Sequence, residues 1–216
     1  EDKDSIYVNL YVSNETETQI KGIPCKITMD SDFLSTGNVK ISLRSQEDTK
    51  GKLALRVPGY VKSFQVYRNG EEILNPLIEK GYLILEELKE EEMITISCDM
   101  KAKFIHANPE VRADEGKVAI MRGPLVYCLE ETDNGRNLSS LYVDTKAGLT
   151  ETYEEDLLGG VVTVTARGKR ISNTSWDEED LYKEQETRLE DVTLKAVPYC
   201  NWGNRKTGEM AVWIKE

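Results

Sequence analysis

The sequence has few of the residues that bind metals or transfer protons near neutral pH. Among its 216 residues there is one histidine, His106, and four cysteines, Cys25, Cys98, Cys128 and Cys200, which lie far apart with no Cys-x-x-Cys pair. Structural zinc sites take closely spaced Cys and His ligands, so we expect no metal site in this chain. Cys98 and Cys128 stand inside apolar strand patterns, where a thiol behaves as a small buried hydrophobe. We interpret all four cysteines as free, with one disulfide as the open alternative.

Basic charge and long apolar runs are also scarce. The chain carries 39 acidic and 28 basic residues, a net charge of −11, with no stripe of Lys and Arg. Such a surface repels phosphates, which argues against nucleic-acid binding. No run approaches the ~18–20 apolar residues of a membrane-spanning helix, and no signal peptide opens the chain, so no membrane partner is expected. The chain begins at Glu1 rather than Met, which suggests a fragment, and the sequence assigns no cellular compartment.

A helical stripe with a period of 3.6 residues is missing, whereas alternation with a period of two runs through most of the chain. Ile6, Val8, Leu10 and Val12 would share the buried face of one strand. Asn69-Gly70 tolerates positive φ at both positions and predicts a hairpin.

Several further alternating segments follow, separated by Gly, Pro and Asn turns. The pattern predicts an all-β fold of two consecutive antiparallel β-sandwich modules, joined near residues 103–114.

Four motifs in order resemble one family. The longest is HANPEVRADEGKVAIMRGPLVYCLE, which begins at His106. It closely resembles the segment joining the two C-terminal β-sandwich modules of the β-L-arabinofuranosidases of glycoside hydrolase family 127. The others are IYVNLYV from Ile6, LALRVPGY from Leu53 with VYRNGE and GYL after it, and VPY from Val197 with WGNR and GEMAVW. The resemblance covers essentially the whole chain.

The resemblance implies a division of the chain into two modules. The first sandwich would span residues 4–104 plus 208–216, and the second residues 105–207. The last strand, 209–214, is expected to return to the first module, because the motif GEMAVW closes that module in the family and its alternating apolar face needs a partner edge.

In this family catalysis belongs to an N-terminal helical barrel, where a zinc-bound cysteine acts as nucleophile and a glutamate as acid/base. Adjacent cysteines supply part of that site shortly before the first sandwich strand. No Cys-Cys pair precedes Ile6, so no catalytic, cofactor-binding or metal-ligating residue carries over to this chain. The resemblance implies zinc only for the missing catalytic domain, and it implies that the missing barrel is a partner of this chain.

Three aromatic residues are the candidate carbohydrate contacts, since the apolar face of a sugar ring stacks on an aromatic ring. They are Trp176, Tyr199 and Trp202. The alternative is that Tyr199 and Trp202 anchor the return crossing between modules by burying large surfaces. His106 has no ligand partner at suitable spacing, and we expect it to cap or hydrogen-bond the joint between modules.

Two functions from different classes follow. In the first, the chain is the non-catalytic tail of a glycoside hydrolase; it stabilises the missing barrel, is inactive alone, and leaves homodimerisation open. In the second, it is a carbohydrate-binding module for a plant-type glycan containing arabinose. The first predicts that Trp202 and Trp213 are substantially buried, and the second predicts a row of exposed aromatic residues.

Overall fold

The computed structural model describes residues 4–174, 176–177, 179–182, 184 and 187–216. The chain forms two compact units, residues 1–100 and 101–216, with the division between Met100 and Lys101. Nearly all regular structure in both units is β-strand. The predicted all-β fold is confirmed, and the strand pairings within it are antiparallel except for two parallel contacts.

Ten strands and one short helix make up the first unit. They are β1 (Ser5–Val8), β2 (Asn14–Ile20), β3 (Ile23–Asp32), α1 (Phe33–Thr36), β4 (Asn38–Ser45), β5 (Lys52–Arg56), β6 (Phe64–Arg68), β7 (Glu71–Glu72), β8 (Ile78–Glu79), β9 (Tyr82–Leu85) and β10 (Glu91–Cys98).

These strands form a sandwich of two sheets. The four-stranded sheet has the order β1-β5-β9-β8, and the six-stranded sheet has the order β2-β3-β4-β10-β6-β7. Alternate residues of both sheets meet in one core: Leu53 and Leu83 from the first, Ile41 and Ile94 from the second. Each of these side chains is at most 1% exposed, as expected where alternate residues of a strand face the core.

The predicted first strand is only half right. β1 ends at Val8, and Leu10 and Val12 are 69% and 61% exposed instead of sharing the buried face of Val8. The chain leaves the sheet after β1, so the residues beyond Val8 no longer alternate between the core and the outer face of that sheet. Tyr11 takes the buried position instead, and its hydroxyl donates to the carbonyl oxygen of Arg56 at 2.6 Å.

Local turn chemistry is confirmed at the hairpin between β6 and β7. Asn69 and Gly70 have φ of 53° and 87°, and Arg68 pairs with Glu71 across the turn. The same hairpin binds a buried carboxylate, Glu92, which accepts hydrogen bonds from Arg68 Nε at 3.0 Å and from Asn69 Nδ2 at 2.8 Å. Burial favours the neutral acid, but the hydrogen bonds from Arg68 and its neighbours outweigh it and lower the pKa of Glu92 below its ordinary value.

The described residues of the second unit contain nine strands and one short helix. They are β11 (Ala102–His106), β12 (Lys117–Arg122), β13 (Leu125–Glu130), α2 (Glu131–Asn134), β14 (Leu141–Val143), β15 (Leu149–Glu154), β16 (Val161–Ile171), β17 (Leu189–Pro198), β18 (Met210–Ala211) and β19 (Ile214–Lys215). Single 3₁₀ turns lie at Arg112–Asp114, Leu138–Ser140 and Tyr199–Asn201.

The sheet of the second unit closes on itself instead of forming two open layers. Six strands pair in the ring β12-β19-β14-β16-β17-β13, and β13 returns to β12 through the pair Ile120 and Tyr127. The remaining strands β11, β15 and β18 extend the sheet beyond this ring. Tyr127, Leu129 and Val164 fill the interior and are at most 1% exposed. Closure removes the free edges that an open sandwich would leave within this ring.

The predicted return of the last strand to the first module is wrong. β18 pairs with β13 through Ala211 and Leu129, and β19 pairs with β12 through Ile214 and Val118. Ile214 is 4% exposed within the core of the second unit. The apolar face of 209–214 did need a partner edge, but the barrel supplies that edge, so residues 208–216 belong to the second unit.

None of the helices in the described part of the chain has the length and apolar character needed to cross a membrane.

Candidate functional site

Two of the three candidate carbohydrate contacts are brought together where β17 ends. Tyr199 opens the 3₁₀ turn that follows Pro198, and the N–H of Trp202 donates to the carbonyl of Tyr199 at 3.0 Å. The two rings stack, with centroids 6.1 Å apart and planes 15° from parallel, and each residue is 45% exposed. We call Tyr199 and Trp202 the aromatic pair. The prediction that Trp202 is substantially buried is therefore wrong for this chain.

Trp176, the third candidate, is not one of the two stacked rings. It follows β16, its N–H donates to the carbonyl of Asn173 at 3.0 Å, and it is 37% exposed. Trp213 lies between β18 and β19 and is half-buried.

A buried ion-pair cluster fixes the segment that carries the aromatic pair. Arg205 Nη1 donates to Asp133 Oδ1 at 2.9 Å, Arg205 Nε donates to Glu130 Oε2 at 3.2 Å, and Nη2 contacts both carboxylates. Glu130 also accepts a hydrogen bond from the N–H of Gly203 at 3.0 Å, one residue after Trp202. We call Arg205, Glu130 and Asp133 the arginine clamp.

The three side chains of the clamp are largely buried, and their mutual hydrogen bonds keep Arg205 charged. The side chains of Glu130, Asp133 and Arg205 are 3%, 14% and 19% exposed. The hydrogen bonds that Arg205 donates to Asp133 raise the pKa of Arg205 above its ordinary value and outweigh the opposite effect of burial, while those donated to Glu130 act in the same direction. Arg205 therefore stays charged, and its planar fork suits two carboxylates better than a lysine would.

A second set of contacts holds the far end of the same segment. Glu209 N–H donates to Glu131 Oε2 at 3.0 Å, and the N–H of Glu131 donates to the carbonyl of Glu209 at 3.0 Å. The carboxylate of Glu209 accepts from the N–H of Leu138 at 2.7 Å. The segment that follows the aromatic pair is thus held at Gly203, Arg205 and Glu209, and the two rings stay open to solvent.

The four cysteines are free thiols, and three of them lie inside the two units. Cys25, Cys98 and Cys128 are buried, and Cys200 is exposed. Burial raises the pKa of Cys98 to about 11 and that of Cys128 to about 12, which keeps both protonated and unreactive. Within the described residues no three His, Cys, Asp or Glu side chains come together to hold a metal ion.

His106, the single histidine, ends β11 and is exposed. Its Nδ1 lies 3.7 Å from Glu216 Oε1, a contact within the second unit.

Sequence reasoning missed the arginine clamp. Arg205 was visible only as part of the family-like segment Trp202–Arg205, and its partners Glu130 and Asp133 lie 75 and 72 residues away along the chain. Two features of the sequence could have indicated the clamp. One is the Arg that follows the Trp-Gly-Asn segment, and the other is the group of acidic residues at the end of an apolar strand.

Comparison with known proteins agrees with the fold. Residues 5–100 match the family model described as the β-L-arabinofuranosidase, GH127 middle domain, and residues 102–215 match the glycoside hydrolase family 127 C-terminal domain. The chain is 37% identical over 193 residues to a curated non-reducing end β-L-arabinofuranosidase of Bifidobacterium longum subsp. longum, an alignment covering 85% of this chain and 29% of that protein.

Solved structures give the same picture. A GH127 β-L-arabinofuranosidase from Geobacillus stearothermophilus T6 matches 100% of this chain with a TM-score of 0.91 and 38% identity, and the match covers 34% of that protein. A second GH127 β-arabinofuranosidase matches 98% of the chain with a TM-score of 0.85 and 28% identity, covering 35% of its own length. The chain thus spans about a third of the proteins it matches. With both of its units matched by models of one family, the chain belongs to glycoside hydrolase family 127 and comprises its middle and C-terminal domains.

Proposed function

We propose that this chain is the non-catalytic part of a β-L-arabinofuranosidase and that it stabilises a catalytic domain carried elsewhere in the same protein. The observation that carries the proposal is the match of its two units to a middle and a C-terminal domain of a hydrolase family, over about a third of each relative. The relatives are β-L-arabinofuranosidases, which gives the expected activity of the whole protein.

The buried carboxylates of the chain support a structural role. Glycoside hydrolysis commonly uses a pair of carboxyl groups on either side of the scissile bond. Glu130 and Asp133 are close enough to share Arg205, but both are bound to that arginine and little exposed. Glu92 is also buried and is bound by Arg68, and the partly exposed Glu151 and Glu154 pair with Arg122 and Lys195.

The missing domain would supply the reacting groups. The family resemblance implies a zinc-bound cysteine nucleophile and a glutamate acid/base in that domain, and the protonated, buried thiols of Cys98 and Cys128 are poor substitutes. We derive no catalytic step from residues of this chain.

A chimera tests the proposal. The chain would replace the matched third of the Geobacillus stearothermophilus relative, and hydrolysis of an aryl β-L-arabinofuranoside would be compared among the chimera, the relative lacking that third, and the purified chain. We expect turnover by the chimera and none by the purified chain or the truncated relative. Turnover by the chain through successive purification steps, or full activity and thermal stability of the truncated relative, would contradict the proposal.

The exposed aromatic pair favours a second candidate function, the binding of a glycan that contains arabinose. Two stacked rings, 45% exposed and fixed by the arginine clamp, could receive the apolar face of a sugar ring. Titration of the chain with arabinan or arabinogalactan tests this candidate, with Trp202→Ala as the variant that should lose affinity. Sedimentation of the same samples reports whether the chain forms the homodimer that the sequence left open.

A further inference from the structure

A continuous row of apolar side chains crosses the outer face of the four-stranded sheet in the first unit. Strand pairing places Tyr7 beside Ala54 and Ala54 beside Ile84. The N–H of Ile84 donates to the carbonyl of Leu77 at 2.9 Å, which continues the pairing of β9 past the first residue of β8. Paired residues project their side chains on the same face. We call Tyr7, Ala54, Ile84 and Leu77 the apolar row.

This row faces away from the core of its own unit. The alternate residues Leu53, Leu55 and Leu83 point inward and belong to the core cluster, which does not include the four members of the row. Within the row Ala54 is 1% exposed and Ile84 is partly exposed, so the accessible apolar surface lies toward the ends of the row.

The ends of the row are open to solvent. Tyr7 is 49% exposed and Leu77 is 48% exposed. The ring of Tyr7 packs edge-on against the ring of Tyr82, with centroids 5.2 Å apart and planes at 88°, which extends the apolar surface toward the next row. Exposed apolar patches of this kind mark interaction surfaces more often than isolated exposed residues do.

Polar groups border the row on both sides. Lys52 Nζ pairs with Glu86 Oε1 at 2.7 Å on one side, and the hydroxyl of Tyr82 donates to Asn9 Oδ1 at 2.7 Å on the other. An apolar centre with a polar rim is the usual composition of a protein–protein interface.

The outer face of the other sheet has a different character. Its strands carry ion pairs between neighbouring strands, Lys26 with Glu15 at 2.7 Å and Arg44 with Glu91 at 3.6 Å. Met93 is an isolated exposed apolar residue on that face, opposite Ser42. One sandwich therefore has one solvated outer face and one apolar outer face.

We infer that the apolar row is the surface on which the catalytic domain of the same protein docks, an inference that rests on the proposed function. The unit that carries the row matches a middle domain, so in the relatives a further portion of chain precedes it. About two-thirds of the solved relative lies outside the match, enough for a partner domain of its own. The matched middle domain starts at residue 5, the first residue of β1, so that preceding portion is joined next to Tyr7.

The test uses the chimera with the Geobacillus stearothermophilus relative and three variants. Tyr7→Glu and Leu77→Glu place a charge at either end of the row, and Met93→Glu places the same charge on the opposite sheet as the matched control. In the isolated chain all three should unfold at nearly the temperature of the parent, because each position is at least 37% exposed. In the chimera, Tyr7→Glu and Leu77→Glu should lower the unfolding temperature and the activity, whereas Met93→Glu should change neither.

Binding in trans provides a second readout. The chain would be titrated with the separately produced catalytic portion of the relative, and Leu77→Glu should weaken association at least about 30-fold, the effect of losing an interface hot spot. A parent chimera that is active, with row variants that match the control in both formats, would overturn the docking surface and leave the proposed function standing. A parent chain that neither supports activity nor associates would overturn both.

Two other occupants of the row give distinct results. If the isolated chain dimerises and Leu77→Glu abolishes the dimer, the row is a contact between two copies and the inference is wrong. If Tyr7→Glu removes glycan binding without changing the chimera, the occupant is a sugar and the inference is equally wrong.

Discussion

Removing the arginine of the clamp should destabilise the second unit strongly. Arg205→Ala leaves the carboxylates of Glu130 and Asp133, 3% and 14% exposed, close together without a counter-charge. Removal of one partner from a buried ion pair costs about 3–5 kcal/mol, because the remaining charge keeps its desolvation penalty. The same change frees the N-terminal part of the segment that carries the aromatic pair, since Gly203 binds the same carboxylate.

Tryptophan fluorescence gives an assay specific to this unit. The chain has three tryptophans, Trp176, Trp202 and Trp213, and all lie in residues 101–216. With a urea m-value of about 2 kcal/mol/M, the expected loss moves the midpoint of unfolding down by about 1.5–2.5 M.

Two further variants check the mechanism. Arg44→Ala removes an exposed ion pair, 74% and 80% exposed, and should cost less than about 1 kcal/mol in unfolding of the first unit. Combining Arg205→Ala with Glu130→Gln should recover part of the loss, because a neutral amide no longer needs a counter-charge. A midpoint for Arg205→Ala within experimental error of the parent would refute the reasoning that the clamp is a stabilising buried network.

Three other perturbations follow from the structure. Trp202→Ala should cost about half of the ~3–5 kcal/mol typical of a buried aromatic residue, because the side chain is 45% exposed; a full core-sized loss in urea unfolding would contradict its observed exposure. The pKa of Glu92 is lowered in the folded state, so this residue contributes stability that is present above its unfolded pKa of about 4.3 and is lost as the pH falls through the folded pKa. Glu92→Gln should therefore make the free energy of unfolding of the first unit, measured by circular dichroism, depend less on pH in the acid range. Gly37→Ala should destabilise the first unit by at least about 1–2 kcal/mol, because Gly37 has φ of 81° and an added Cβ would lie 2.2 Å from the carbonyl oxygen of Cys98. Gly59→Ala is the control: there is open space around Gly59, so the stability of this variant should stay near that of the parent.

Where local chemistry decides the structure, the sequence was sufficient. Asn69-Gly70 predicted a hairpin because both residues accept positive φ, and the turn has that geometry. Ile94, Ile96 and Cys98 alternate along β10 and are all buried, as a half-buried strand requires. The family resemblance, carried by short ordered motifs, led to the family that the comparisons support.

Where residues far apart in the chain decide the structure, the sequence was insufficient. Alternation after Val8 predicted buried Leu10 and Val12, but the turn away from the sheet put Tyr11 in the core instead. Arg205 lies 75 and 72 residues from Glu130 and Asp133, and only the fold brought the three side chains together.

The sequence by itself determined an all-β chain with no membrane-length apolar run, because alternation and turn propensity act over a few residues. The tertiary structure alone decided the closed ring of β12, β13, β14, β16, β17 and β19, the partner of the last strand, and the union of Arg205 with Glu130. Each of these three features depends on which strand edges pair and which charged side chains contact each other. The sequence pattern is compatible with more than one partner and does not determine which one is used. Packing and the desolvation of buried charge make that choice, and both exist only once the chain has folded.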